Sequence, residues 1–232
     1  MNKIMKLSAI FIAFALVATP SAAVAATRHV TISSEGTVKI TPDAVRLNAA
    51  VSLLGTTSSE ALKSANATSA SLRTALTTSG VDKKDIATQS ISVYPDYKYS
   101  ADGTSSIIGY RATQSFVVTI RKASSAGAVV DSVIASGGDN VQIQGVTPFI
   151  LDATKAAVTA RSAAVKSAKA KATSYATLLG ARLGKVIYLV ENSSPATYLP
   201  SLGTAKADSG ATEVDLGQQD VTVSVTVRWS LN

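Results

Sequence analysis

The side chains able to do chemistry are few in this chain. It has one histidine, His29, and no cysteine, and its two methionines are Met1 and Met5. General acid–base catalysis needs a positioned, supported imidazole or carboxylate. His29 stands close to the start of the folded region, where segments are commonly frayed, so it reads as a surface residue and not as a base. A cysteine or multi-histidine zinc site is excluded by count, and a carboxylate-only metal site needs clustered acids, whereas the acids here lie singly. Gly180, Gly184 and Lys185 have the outline of a phosphate loop. The spacing is one residue short, Val186 stands where a hydroxyl would meet magnesium, and the run comes after a helix, so a helix terminus accounts for it. Gly36, in a hairpin context, and Gly137 with Gly138, at a helix end, read as backbone geometry. No catalytic residue, metal or cofactor is expected.

Two groups of residues remain as candidates for contacts. Tyr94, Tyr97, Tyr99 and Tyr110 fall on a hairpin, with Tyr97 and Tyr99 on one face, and Tyr198 falls in a long loop. Exposed, such tyrosines form a contact surface, because they offer large area at low entropic cost; buried against a helix, the hairpin set is ordinary core. The second group is Arg161, which lies inside the apolar stripe of the longest helix, among Val158, Val165, Ala168, Ala172, Tyr175, Ala176 and Leu179. Either its stem packs while its head reaches water, or it forms an ion pair tying the helix to the N-terminal strands, with Asp43 as the partner.

The elements that position these residues emerge from periodicity. Val30, Ile32, Val38 and Ile40, then Val45, Leu47, Ala49, Val51 and Leu53, alternate as two strands about a turn at Pro42 and Asp43. A helix capped by Ser58 or Ser59 runs through Leu62, Leu72 and Leu76 to Gly80. Strands at 86–99 and 107–121 flank an Asp102-Gly103 turn. A short helix covers 124–136, a strand 141–150, and the long helix runs from a cap at Asp152 to Gly180. A strand at 185–191, a loop at 192–213 long enough to be mobile or used for contacts, and a faultless alternation of Val221, Val223, Val225, Val227, Trp229 and Leu231 complete the chain. The order is β-β-α-β-β-α-β-α-β-β. It predicts an α+β fold, an antiparallel or mixed sheet with the helices packed on one side.

The first 25 residues have the form of a cleavable export signal: Lys3 and Lys6, an apolar run from Leu7 to Val17, and Ala23 and Ala25 before a cleavage point. The remainder, residues 26–232, reads as one domain of about 205 residues, enough to bury a core without staples. Export with no cysteine favours a bacterial periplasm, with secretion as the alternative. The formal charge is +7, spread along the chain with few aromatics. That excludes a nucleic-acid footprint and leaves at most a weak attraction to anionic membrane surfaces.

Gly36 to Asp43 (GTVKITPD), Ile86 to Tyr97 (IATQSISVYPDY), Gly109 to Arg121 (GYRATQSFVVTIR), Ala160 to Gly184 and the closing valine strand resemble, in this order, the SIMPL-domain family, which includes the YggE-like bacterial proteins. The resemblance implies an exported, usually periplasmic α+β protein. Some members are immunogenic envelope antigens, some are linked to tolerance of oxidative stress, and some form large ring-like or channel-like homo-oligomers. It brings no catalytic residues. Pro42 with Asp43, Gly109 with Tyr110, Ala160 with Arg161, and Gly180 with Gly184 carry over as structural marks. Gln114 departs from the family pattern, near a place where asparagine is more usual. Together these readings describe a non-enzymatic envelope protein that self-associates, with a periplasmic binding module for a small molecule or an envelope partner as the alternative.

Overall fold

The computed structural model describes residues 28–101, 103–193 and 212–232. The elements come in the order read from the sequence, and they are α+β. Strands β1 (His29–Ile40) and β2 (Ala44–Gly55) are followed by α1 (Ser58–Thr78), β3 (Ile86–Tyr99), β4 (Ser105–Ile120), α2 (Ala126–Gly137) and β5 (Val141–Phe149). Then come α3 (Thr154–Leu178), β6 (Leu183–Ser193) and β7 (Gln219–Leu231). The strands divide between two sheets where one was expected. One has the order β1-β7-β6 and the other β3-β4-β2-β5, with every ladder antiparallel.

Each sheet buries one face under helix and leaves the other open, which is why its strands alternate. In the four-stranded sheet, Val45, Leu47, Ala49 and Val51 of β2 and Ala112, Phe116 and Val118 of β4 meet Leu72 and Leu76 of α1 and Val129 and Val133 of α2. Thr57, not Ser58 or Ser59, caps α1, its hydroxyl accepting from the Glu60 N–H at 3.2 Å. Gln114 is buried here and donates to Asn66 of α1 at 2.6 Å.

The three-stranded sheet is covered by α3, and here the expected stripe is corrected. The buried residues of α3 are Ala156, Ala160, Ala164, Ala168, Ala172 and Ala176, one every fourth position. Val158, Tyr175 and Leu179 are more than half exposed. Small residues face inward because the helix lies very close to β1: a Cβ on Gly36 would meet the Ala160 carbonyl oxygen and the Ala164 nitrogen well inside contact distance. Gly36 is therefore a close-approach position inside a strand, and not a turn glycine. Across the seam, α3 packs on Ile32, Val223, Val225, Val227 and Trp229, the valine face expected to be core.

Asp43 and Gln219 join the halves. Asp43 sits in the β1–β2 turn, where its carbonyl accepts from Ala123 N at 3.0 Å and its carboxylate from Leu151 N at 2.8 Å. The buried Gln219 side chain, at the start of β7, donates to the Pro148 carbonyl of β5 at 2.8 Å. Val214 and Leu216 pack on the larger core just before the chain enters β7 in the other sheet.

Candidate contact surfaces

The β3–β4 hairpin outruns its sheet. It pairs from Ile86↔Val118 to Tyr99↔Ser105, while β2 accompanies β4 only as far as Gly55↔Tyr110. Beyond that point, among the described residues, two strands continue alone as an arm. Its tip is closed by Ser100 N–H donating to the Thr104 carbonyl at 2.9 Å, with Gly103 in the left-handed region at φ 82°. Arg111 holds Asp96 across the base of the arm. Tyr94, Tyr97, Tyr99, Ile107 and Ile108 are all exposed, Tyr99 by 75%. Tyr97 and Tyr99 share a face as expected, ring centroids 6.5 Å apart. Tyr110, by contrast, packs on the core, and Tyr198 lies outside the described residues, as does most of the 192–213 loop. A two-stranded ribbon is marginal by itself in water, so an arm of this kind with apolar side chains offers surface to a partner.

A second surface is β6. It forms one side of the β1-β7-β6 sheet, and among the described residues nothing pairs with its outer edge. Val186, Ile187, Leu189 and Val190 are each about half exposed, so apolar residues stand on both faces. Unpaired edges with apolar side chains are templates for further strands.

The ion pair of Arg161 is real but its partner is Glu191, not Asp43. Arg161 Nε donates to Oε2 at 2.6 Å and Nη2 to Oε1 at 2.9 Å, a fork that ties α3 to β6. The carboxylate raises the already high Arg161 pKa by hydrogen bonding and by charge. Asp43 is instead occupied by Leu151 N. No periodicity signals a partner 30 residues away on another element. His29 is exposed and lies in β1 opposite Ser230, in a paired strand and not in a frayed end.

The charge, expected to be spread along the chain, is locally one-sided. From Thr154 to Val190 there are seven cations and no acid: Lys155, Arg161, Lys166, Lys169, Lys171, Arg182 and Lys185. All seven are exposed, and apart from Arg161 none is in an ion pair among the described residues.

Three carboxylates among the described residues have lowered pKa values: Glu60 through the Thr56 hydroxyl, Asp85 through the Arg121 guanidinium, and Asp152 through Thr154. Each is held as an anion, whereas a general acid working near neutrality needs its pKa raised. Among the described residues no group of three or more metal-ligating side chains comes together. A concavity of about 520 Å³ beside α1 and α2 is lined by Ala70, Ser71, Thr74, Ala75, Thr78, Ser132 and Ser136, with no titratable group.

Among the described residues no helix is long and apolar enough to cross a membrane. The chain is 27% identical over 210 residues to the 26 kDa periplasmic immunogenic protein of Brucella melitensis, covering 86% of this chain and 83% of that one. The protein of the same name from Brucella abortus matches to the same extent. The uncharacterized protein YggE of Escherichia coli is 29% identical over 184 residues, 78% of this chain and 72% of the relative. The SIMPL family model, described as a protein of unknown function (DUF541), matches residues 30–229. With this match spanning both sheets and all three helices, the chain belongs to the SIMPL family.

Proposed function

We propose that this chain is an exported periplasmic protein that works without catalysis, through contacts between copies of itself, and so supports the envelope, including under oxidative stress. The observation that carries the reading is the β3–β4 arm, a ribbon without a third strand among the described residues that displays Tyr97, Tyr99, Ile107 and Ile108 to solvent, with the exposed Tyr94 just below its base. The open β6 edge offers a second joint, and two unlike joints on one copy allow closed rings. The periplasmic relatives support the compartment. Beyond Met5 the chain has no methionine and no cysteine, the side chains oxidants attack most readily, which suits a protein that endures oxidants without scavenging them.

The test is the mass of the native particle by light scattering. A multimer is expected, falling toward the monomer when Tyr97→Ser, Tyr99→Ser and Ile108→Asn are combined, with the circular dichroism spectrum unchanged. A monomeric wild-type chain rejects the assembly. The intact mass of the exported chain checks cleavage after Ala25 or Ala26.

A further inference from the structure

Helices α1 and α3 end in the same way, residue for residue. In α1, Ser79 N–H donates to the Ala75 carbonyl, Gly80 N–H to Thr77, and Val81 N–H to Leu76; in α3, Leu179 donates to Tyr175, Gly180 to Thr177, and Ala181 to Ala176. Both glycines are left-handed, at φ 87° and 64°. The backbone solution is shared, so it dictates none of the differences in side chain. Where α1 has Ala75, Thr78 and Ser79, α3 has Tyr175, Leu178 and Leu179, exposed by 53%, 79% and 69%. These three lie at positions i, i+3 and i+4 and so form one patch on the helix surface.

The patch is bordered by cations. Lys171 is one turn before Tyr175, and Arg182 and Lys185 lie in and just after the turn into β6. It closes the stretch with seven cations and no acid. An exposed apolar patch flanked along the chain by positive charge is complementary to a surface that is anionic outside and apolar a few ångströms beneath. A second copy of the same patch does not fit, since it would set like charges against one another.

We propose that the C-terminal end of α3 and the turn into β6 dock this protein on an anionic phospholipid bilayer. Tyr175, Leu178 and Leu179 enter the boundary between headgroups and acyl chains, to a depth of about 5–10 Å. Lys171, Arg182 and Lys185 lie against the phosphates, each adding on the order of five-fold to the partition. The inference does not rest on the self-assembly proposed above, which uses the β3–β4 arm and the β6 edge.

The test is co-sedimentation of the exported chain with vesicles of phosphatidylcholine, with and without about 30 mol % phosphatidylglycerol, at low salt and at about 0.5 M salt, where the screening length is only a few ångströms. Binding is expected to the anionic vesicles only, falling at least about ten-fold at high salt. The triple variant Tyr175→Ala, Leu178→Thr, Leu179→Ser grafts the end of α1 onto α3. It is expected to keep its melting temperature and its particle mass and to lose binding at least about ten-fold. Lys171→Gln, Arg182→Gln and Lys185→Gln together lower the partition by on the order of a hundred-fold. Failure of the wild type to sediment with anionic vesicles, equal binding to neutral ones, or undiminished binding by the grafted variant overturns the proposal. So does a grafted variant whose only change is its particle mass, for that assigns the patch to contact between copies.

Discussion

Asp85 and Arg121 illustrate how the isolated charges of this chain are spent. The guanidinium donates twice to the carboxylate, at 2.6 and 2.7 Å, and the carboxylate is only 8% exposed. The pKa of Asp85 is lowered, first by this hydrogen bonding and then by the positive charges of Arg121 and Lys84. A depressed folded-state pKa means that the stabilisation is fully present above the unfolded value of about 3.9 and is lost as pH falls below it through the folded value. Asp85→Asn is therefore expected to lower the melting temperature at pH 7 and to make little difference at about pH 2, measured by thermal denaturation at both. Ser69 makes the opposite case. Its hydroxyl is fully buried on α1 with no hydrogen-bond partner among the described residues, so Ser69→Ala is expected to be neutral or to stabilise by up to about 1 kcal/mol in a urea titration. Arg161 was legible as a residue needing a partner, because a guanidinium is conspicuous within a stripe that the helical period reads as apolar. Glu191 was not, because which carboxylate reaches it depends on β6 lying beside α3, a tertiary fact.

Among the elements, α3 is where periodicity misleads and packing corrects it. Counting bulk assigns Val158, Tyr175 and Leu179 to the core, and the correction comes from a residue on another element, Gly36, which lets the helix approach until only alanine fits. Two substitutions separate the readings. Ala164→Val adds volume at a fully buried seam and is expected to destabilise by about 1–3 kcal/mol, whereas Val158→Ser on the exposed side is expected to stay within about 0.5 kcal/mol; chemical denaturation of both measures the contrast. The strands are more legible. β2, β4 and β7 alternate because each has one covered face and one open one, and that pattern is local to each strand. Sheet membership is not local, since β7 enters between β1 and β6 from far along the chain. The division into two sheets was accordingly invisible.

The whole molecule is two layered halves joined by few polar contacts, so those contacts matter more than their number suggests. Gln219→Ala removes the buried bond to Pro148 that links β7 to β5, and about 1–2 kcal/mol of stability is expected to go with it in a urea titration. The halves are also unequal. The larger core includes Phe116, Leu47, Leu72 and Leu76, while the α3 half rests on a row of methyl groups against valines. Amide hydrogen exchange is expected to be faster in α3 than in α1, reporting local opening of the thinner half; equal protection would show that the two open together.

The pairing of β1 with β7 also imposes a timetable. Ser33 meets Thr226 across a separation of 193 residues, and β7 is the strand that stands between β1 and β6. During synthesis β1 emerges first among the described strands and has no neighbour until β7 is made. Contacts between such distant residues form slowly. The four-stranded sheet, all of whose strands lie between Ala44 and Phe149, can close while the chain is still growing, but the three-stranded one cannot. A nascent chain is thus held open at one end by its own topology, and the last strand to arrive completes the three-stranded sheet.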